Sequence, residues 1–257
     1  MAFVLIVSFC CFSVHQTTQV NDEINSNDFN AIAEELLKKT EQGLETHGLQ
    51  QKLANIPLER LAKSLDTDQK RYAFWINVYN ANIIIALRKD PAAYDDKDNF
   101  FTKDHIVIAG ETISFDLIEH GILRKSQWKL GLGYVRKWFT NGFERKLRVE
   151  ERDYRIHFAL NCGAKDCPPV AIYTPSRLTE QLKKGTTAYL NRTTKFDTKR
   201  NVAKVTPLFS WFRGDFGGKN GIKDILKDEG LLPTTKNIEL HFSPYDWTID
   251  INNFIDL

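Results

Sequence analysis

The sequence predicts a single-domain α+β protein in which mixed helices pack on a mainly antiparallel sheet. Apolar residues recur at helical spacing in several segments, and short runs such as NVAKV and NIELHF are typical of strands. No internal repeat, linker or low-complexity run follows Asn21. With 257 residues, of which 42% are hydrophobic and 26% charged, the chain is long enough to bury a substantial core.

The composition also limits the classes of partner. The chain has 35 Lys and Arg against 33 Asp and Glu, a formal net charge of +2, and the two signs are interspersed. Since no basic stripe is present, nucleic acid is not expected as the main partner. The sequence has no phosphate-binding Gly-rich loop and no carboxylate cluster with metal-ligand spacing, so we expect no cofactor and no metal.

The N-terminus contains an apolar run of 13 residues, AFVLIVSFCCFSV at positions 2–14. It is too short to cross a bilayer, so no transmembrane span is expected, but it has the length of the hydrophobic region of a signal peptide. No Lys or Arg precedes it and no clean A-x-A site follows, which leaves a buried first strand or a truncated gene start as alternatives. The sequence predicts a signal peptide at residues 1–15, removal of Cys10 and Cys11, and export to the periplasm, cell surface or exterior.

The next segment, residues 16–54, is predicted to be a polar lead-in followed by an N-terminal helix over residues 29–42. Asn27 or Asp28 is the expected N-cap of this helix, and Gly43 its end. The domain proper is predicted over residues 55–257.

The most helix-like segment is residues 66–89, DTDQKRYAFWINVYNANIIIALRK, with Asp66 or Thr67 as its cap. It is apolar on almost every side, so we expect it in the interior. Asn77 and Asn80 lie three residues apart on one face of this helix. A buried Asn without partners costs about 1–3 kcal/mol, so we expect both side chains to have partners. They are either core amides that fix a neighbouring loop or side chains beside a reacting centre.

The middle of the chain predicts a hairpin and a helix. HIVIAGETISF is typical of two short strands around Gly110, after which Ser114 caps a helix over residues 115–124 (FDLIEHGILR). Glu119 and His120 lie in the middle of this helix and precede Gly121, an unusual residue there unless another group packs closely against it.

Residues 155–160 alternate between apolar and other side chains, which predicts a strand that ends at Asn161. A helix over residues 177–191, capped by Ser176, follows. NVAKV and NIELHF then form strands around a short helical piece, GIKDILKDEG.

Four blocks occur in the order FWINVYNANII (74–84), IEHGILR (118–124), RIHFALNCGAKDCPP (155–169) and YDW (245–247). Together they resemble the family called domain of unknown function 547 (DUF547), over roughly residues 57–251. Members of that family occur in exported bacterial proteins and in plant proteins, so the resemblance does not fix a compartment. It implies a fold-level relation to papain-like or transglutaminase-like thiol enzymes.

Cys162 and Cys167 allow three interpretations, of which the first is a thiol nucleophile. Cys162 precedes Gly163 at the end of the predicted strand, where a turn can expose its sulfur. His120 is the predicted base, oriented by Glu119 or Asn77. His157 is a second candidate, but strand alternation places it on the opposite face from Cys162. The reaction would be attack on an amide or ester, giving a thioester.

The second interpretation is a Cys162–Cys167 disulfide that shapes its loop and excludes the nucleophile at rest, unless the bridge is a redox switch. The third is a metal site, but His157, Cys162 and Cys167 match no familiar zinc spacing and need a fourth ligand such as His120.

We therefore predict a cysteine-dependent hydrolase or transamidase that acts on a small-molecule or peptide amide or ester. The alternative is a non-catalytic binding or structural module that contains the disulfide. For binding, the sequence nominates Trp211 and Arg213, in the aromatic segment LFSWFRGDF at 208–216. The other candidate binding residues are Asn77, Asn80, His157, Asn161 and Cys167.

Overall fold

The computed structural model describes residues 28–257, so the predicted signal peptide, with Cys10 and Cys11, lies outside the described residues. The helices are α1 (Phe29–Glu41), α2 (His47–Ala54), α3 (Leu58–Ser64), α4 (Asp68–Lys89), α5 (Lys97–Thr102), α6 (Gly142–Leu147), α7 (Leu178–Thr193), α8 (Leu208–Trp211) and α9 (Gly218–Asp228). The strands are β1 (Ile106–Ile108), β2 (Glu111–Ile113), β3 (Lys195–Asp197), β4 (Val202–Val205) and β5 (Glu239–Phe242). Within residues 28–257, no helix has the length and apolar character needed to cross a bilayer.

The α+β class is confirmed, with the strands divided between two small sheets. β1 and β2 form an antiparallel hairpin, and its turn residues Ala109 and Gly110 have φ of 51° and 80°. These positive values are typical of the tight hairpin turn that the sequence predicts at Gly110. In the second sheet β4 pairs antiparallel with β3 and parallel with β5, and α9 lies in the connection between β4 and β5.

Helix α4 is the centre of the fold, as its sequence predicts. Thr67 caps it by accepting a hydrogen bond from the Lys70 N–H, and every residue from 72 to 84 is buried. Helix α1, which Asp28 caps as predicted, packs along it. A helix buried on all sides has no free face, so its polar side chains must find partners within the protein.

Asn77 and Asn80 find those partners in the backbone of residues 159–173. Asn77 Nδ2 donates to the Tyr173 carbonyl at 2.7 Å, and Asn77 Oδ1 accepts from the Tyr173 N–H at 2.9 Å. Asn80 donates to the Ala159 carbonyl at 3.0 Å and accepts from the Asn161 N–H at 2.9 Å. Both amides therefore fix a neighbouring loop, which is the first of their two interpretations.

The strand predicted over residues 155–160 is wrong. Residues Tyr154–Phe158 form a 3-10 helix, which begins where the Asp153 carboxylate accepts from the Arg155 N–H. Residues 156–161 are all buried, so the alternating pattern does not mark one buried face. The Asn80 side chain makes the hydrogen bonds to the Ala159 carbonyl and the Asn161 N–H that a neighbouring strand would make in a sheet. Because these residues form no strand, alternation does not place His157 and Cys162 on opposite faces.

Two further helix predictions need correction. After Phe115 and Asp116 the chain continues as a π-helix, Leu117–Leu123, although Ser114 Oγ does accept from the Leu117 N–H as expected. The packing at Gly121 leaves little room for a side chain, because a Cβ there would lie 2.9 Å from Leu117 Cδ1 and 3.0 Å from Glu144 Cδ.

The predicted Ser176 cap is also wrong. Helix α7 begins at Leu178, and Arg177 is its N-cap without a side-chain hydrogen bond. Ser176 therefore lies one residue outside the capping position.

Replacing Asn77 with Ala tests the attachment of this loop to α4. We expect the free energy of unfolding to fall by about 2–4 kcal/mol, because the buried N–H and carbonyl of Tyr173 lose their partners. Urea unfolding followed by circular dichroism measures this loss. The matched control is Asn191→Ala, an exposed helical Asn, which should change stability by less than about 0.5 kcal/mol. Similar small losses in both variants would contradict the attachment.

Candidate functional site

A cavity of about 360 Å³ lies where the π-helix, the 3-10 helix at 154–158, helix α8 and the C-terminal stretch meet. One part of its wall is aromatic: Trp211 stacks on Trp247 with ring centroids 5.6 Å apart, and Tyr245 packs edge-on against Trp211. The other part carries the titratable residues Asp116, Glu119, His120, Lys129 and His157. An apolar cavity with a few convergent polar groups is typical of a small-molecule site.

His120 is held as a neutral imidazole at this cavity. Its Nδ1 lies 2.7 Å from Arg124 Nη1, and because a guanidinium only donates, Nδ1 must accept and the ring proton is on Nε2. Burial, reinforced by the charge of Arg124, holds the pKa of His120 well below its ordinary value. Nε2 faces Asp116 Oδ1 at 3.7 Å. His120 is thus a donor toward the cavity, with its second ring nitrogen occupied.

His157 is oriented by a carboxylate that lies far along the chain. Its Nε2 donates to Asp215 Oδ2 at 2.8 Å, while Arg124 Nε donates to the same oxygen at 2.6 Å. Burial alone would raise the pKa of Asp215, but the hydrogen bond and charge of His157, together with Arg124, lower it to about 2. Nδ1 of His157 has no hydrogen-bond partner among residues 28–257, so its lone pair is free.

Burial lowers the pKa of His157 to about 4, although the hydrogen bond to Asp215 acts in the opposite direction. The ring is therefore neutral at pH 7. Its face stacks on Phe212, with ring centroids 4.0 Å apart, which fixes the plane of the imidazole.

Glu119 is the titratable group of this cavity whose pKa falls near neutrality. Burial raises its pKa to about 7, against the charge of Arg124, which acts to lower it. Tyr79 donates to Glu119 Oε2 at 3.4 Å. Glu119 Oε1 lies 3.8 Å from His120 Nδ1, so the group that orients His120 is Arg124 and not Glu119.

Cys162 and Cys167 form a disulfide with their Cα atoms 6.2 Å apart. Cys162 is partly exposed and lines the cavity, whereas Cys167 is fully buried. Tyr245 Oη lies 3.2 Å from Cys167 Sγ and 3.6 Å from Cys162 Sγ. Of the three interpretations of the cysteine pair, the disulfide is the one that the structure contains.

Asn161 closes the loop around the bridge. Its Oδ1 accepts from the Gly163 N–H at 2.7 Å, and its Nδ2 donates to the Pro168 carbonyl at 2.8 Å. Gly163 has φ of 91°, and a Cβ at this position would collide with Leu87 of α4. A side chain at residue 163 is therefore excluded both by backbone conformation and by space.

The structure brings together five of the predicted site residues at one cavity: Glu119, His120, His157, Cys162 and Trp211. Asn77, Asn80, Asn161 and Cys167 lie behind it and hold the loop. Arg213 does not line the cavity, and its Nη2 instead donates to Ser210 Oγ at 3.3 Å. No cluster of His, Cys, Asp and Glu fit for a metal ion is found in the part of the chain that is described.

Sequence reasoning missed Arg124, Asp116 and Lys129 and gave Asp215 no role with His157. Asp116, His120 and Arg124 recur at intervals of four, a spacing that places side chains on one helix face. This spacing relative to His120 was the available signal for Asp116 and Arg124. No local pattern connects Asp215 to His157.

A family model described as "Protein of unknown function, DUF547" matches residues 62–190, which include the π-helix, both cysteines and most of α7. No curated protein and no solved structure matches the chain.

Replacing Glu119 with Gln tests the raised pKa of this carboxyl. A raised carboxyl pKa means that the folded state binds the proton more tightly than the unfolded state, so folding loses stability as pH rises from about 4.5 to about 7. The Gln side chain does not titrate. We therefore expect the free energy of unfolding of Glu119→Gln, relative to that of the wild type, to be about 1–3 kcal/mol higher at pH 8 than at pH 5. Urea unfolding at both pH values measures the difference. Glu41→Gln, at an exposed position, should stay within about 0.5 kcal/mol of the wild type at both. A pH-independent effect of Glu119→Gln would contradict the assignment.

Proposed function

The chain belongs to the DUF547 family, and from this premise we propose that it is a thiol-dependent hydrolase or transamidase, active when the Cys162–Cys167 bridge is reduced. The observation that carries the proposal is that Cys162 lines the same cavity as His157, an imidazole held on the carboxylate of Asp215. Nucleophile, base and orienting group are the three parts that thiol catalysis requires.

The first step is reduction of the bridge by two molecules of an external thiol, which leaves two Cys thiols and joins the two reductant molecules in one disulfide. The Cys162 thiol then gives its proton to His157 Nδ1, and the thiolate attacks the carbonyl carbon of an amide or ester. The carbon–nitrogen or carbon–oxygen bond breaks, and the leaving group takes the proton from His157. Water or an amine, deprotonated by His157, attacks the resulting thioester and releases Cys162.

The assignment of the base differs from the sequence-based prediction of His120. Arg124 occupies His120 Nδ1, and the proton on Nε2 leaves that nitrogen without a lone pair to accept another. His157 Nδ1 has no partner among residues 28–257, and Asp215 stabilises the imidazolium that forms when this nitrogen accepts a proton. His120 therefore serves better as a neutral hydrogen-bond donor to the carbonyl oxygen on which negative charge develops.

A second candidate function is ligand binding without catalysis. The observation that favours it is the bridge itself, since a sulfur held in a disulfide is no nucleophile and Cys167 is fully buried. In this case the aromatic wall of Trp211, Tyr245 and Trp247 would bind an apolar part of the ligand, and the bridge would only shape the loop.

The variants Cys162→Ala and Cys167→Ala distinguish the two candidates. Each removes the bridge, which costs about 2 kcal/mol for so short a loop. Cys167→Ala also removes the buried sulfur that accepts from Tyr245 Oη, so we expect it to be the less stable of the two. We expect Cys167→Ala to hydrolyse a p-nitrophenyl ester without reductant, the wild type only after reduction, and Cys162→Ala under neither condition.

A readout that does not depend on the substrate is the rate of alkylation of Cys162 by iodoacetamide in the Cys167→Ala variant. We expect its pH midpoint to lie below the ordinary thiol value of about 8.5, and His157→Ala in the same background to raise it. The thiol mechanism would be excluded, and the binding module favoured, if the pH midpoint of alkylation lies at the ordinary thiol value and His157→Ala does not change it.

A further inference from the structure

A cluster of large apolar side chains projects into solvent from residues 126–139, between the π-helix and α6. Trp138 and Phe139 are 90% and 94% exposed, and Leu130 is 71% exposed. The other exposed members are Trp128, Leu132, Tyr134 and Val135. We call residues 126–139 the apolar loop. So many exposed large apolar side chains in one short segment mark an interaction surface and not an ordinary solvent-facing loop.

The apolar loop has a defined backbone. The Trp128 N–H donates to the Val135 carbonyl at 2.8 Å, the Lys137 N–H donates to the Ser126 carbonyl at 2.8 Å, and Gln127 pairs with Arg136 in an antiparallel bridge. At its tip the Leu132 carbonyl accepts from the Gly214 N–H at 2.7 Å. These hydrogen bonds fix the backbone between Ser126 and Lys137, directly before the exposed Trp138 and Phe139.

The charge of this segment has one sign. Residues 125–139 contain Lys125, Lys129, Arg136 and Lys137 and no Asp or Glu. Arg136 is exposed, and it takes part in no ion pair within residues 28–257. Lys137 Nζ lies 3.6 Å from Glu144 Oε2 of the adjoining helix α6, and α6 also carries the exposed Arg145. The chain as a whole is nearly neutral, at +2, so the basic excess is local.

We propose that the apolar loop docks the protein on the surface of an anionic lipid bilayer. Transfer of Trp and Phe side chains from water to the boundary between headgroups and acyl chains is favourable, and Lys or Arg beside them is attracted to anionic headgroups. The arrangement of two adjacent, fully projecting aromatic residues directly after Arg136 and Lys137 supplies both contributions.

Docking on a bilayer does not depend on the proposed catalysis, but it would also affect access to the cavity. Leu130 and Leu132 are exposed members of the loop that line the cavity, and Lys129 Nζ reaches Asp116 Oδ2 at 2.9 Å. Insertion of the loop would place this rim of the cavity at the lipid–water boundary. An amphiphilic molecule in the bilayer surface would then have direct access to it.

Flotation of the full-length protein with vesicles tests the proposal. We expect binding to vesicles of phosphatidylcholine with roughly 30% phosphatidylserine, and weaker binding to phosphatidylcholine alone. The double variant Trp138→Ala/Phe139→Ala should reduce binding to the anionic vesicles at least about tenfold. Arg136→Glu should reduce it on anionic vesicles only.

Matched controls lie on other surfaces. Leu44→Ala removes another exposed apolar side chain, and Arg200→Glu reverses another exposed arginine, so both should bind like the wild type. Every protein in the series carries the same residues 2–14, so only a difference between variant and wild type counts.

Three results would overturn the proposal: no binding to either vesicle, loop variants that bind like the wild type, or equal losses in the controls. Size-exclusion chromatography adds an alternative outcome. If the wild type is a dimer that Trp138→Ala/Phe139→Ala converts to a monomer, a second copy of the chain covers the loop, and the lipid proposal fails.

Discussion

Two buried asparagine side chains on α4 determine where the cysteine loop lies, and the site depends on this attachment. Asn80 binds the backbone just before Cys162, and Asn77 binds it again at Tyr173, after Cys167. In an apolar core these four hydrogen bonds have no water to replace them, so the loop cannot shift without leaving amides unpaired. The polar residues of a helix buried on all sides thus take the place of a strand ladder for the segment beside them.

A second constraint is electrostatic, and it centres on Arg124. This buried guanidinium donates to His120 Nδ1 and to Asp215 Oδ2, and it also packs over the Phe212 ring, 4.7 Å from the ring centroid. By occupying Nδ1 it keeps His120 neutral, and by stabilising the ionised Asp215 it fixes the tautomer of His157. One arginine at the end of the π-helix therefore sets the protonation of two histidines on different elements. Loss of its charge would leave Asp215 buried with fewer partners, a change that is costly in a dry site.

The sequence was sufficient where local chemistry decides the structure. Helices α1 and α4, the β1–β2 hairpin with its turn at Gly110, and the Ser114 cap follow from spacing and from capping residues. The sequence was misleading at residues 155–160, because alternation cannot show that a side chain such as Asn80 will take up the backbone groups of a would-be strand. The pairing of His157 with Asp215 joins positions 58 residues apart, and no local pattern reports it. Export, predicted from residues 1–15, stays a prediction.

The loop that Asn77 and Asn80 hold closes the cysteine pair as a disulfide at rest, and of the two cysteines only Cys162 lines the cavity. The most direct test is alkylation of the wild-type protein under native conditions, with and without reductant, followed by peptide mass mapping. This arrangement predicts that neither Cys162 nor Cys167 is labelled before reduction, and that Cys162 is labelled first afterwards because Cys167 is fully buried. Labelling of both cysteines without reductant, or of Cys167 before Cys162, would contradict it.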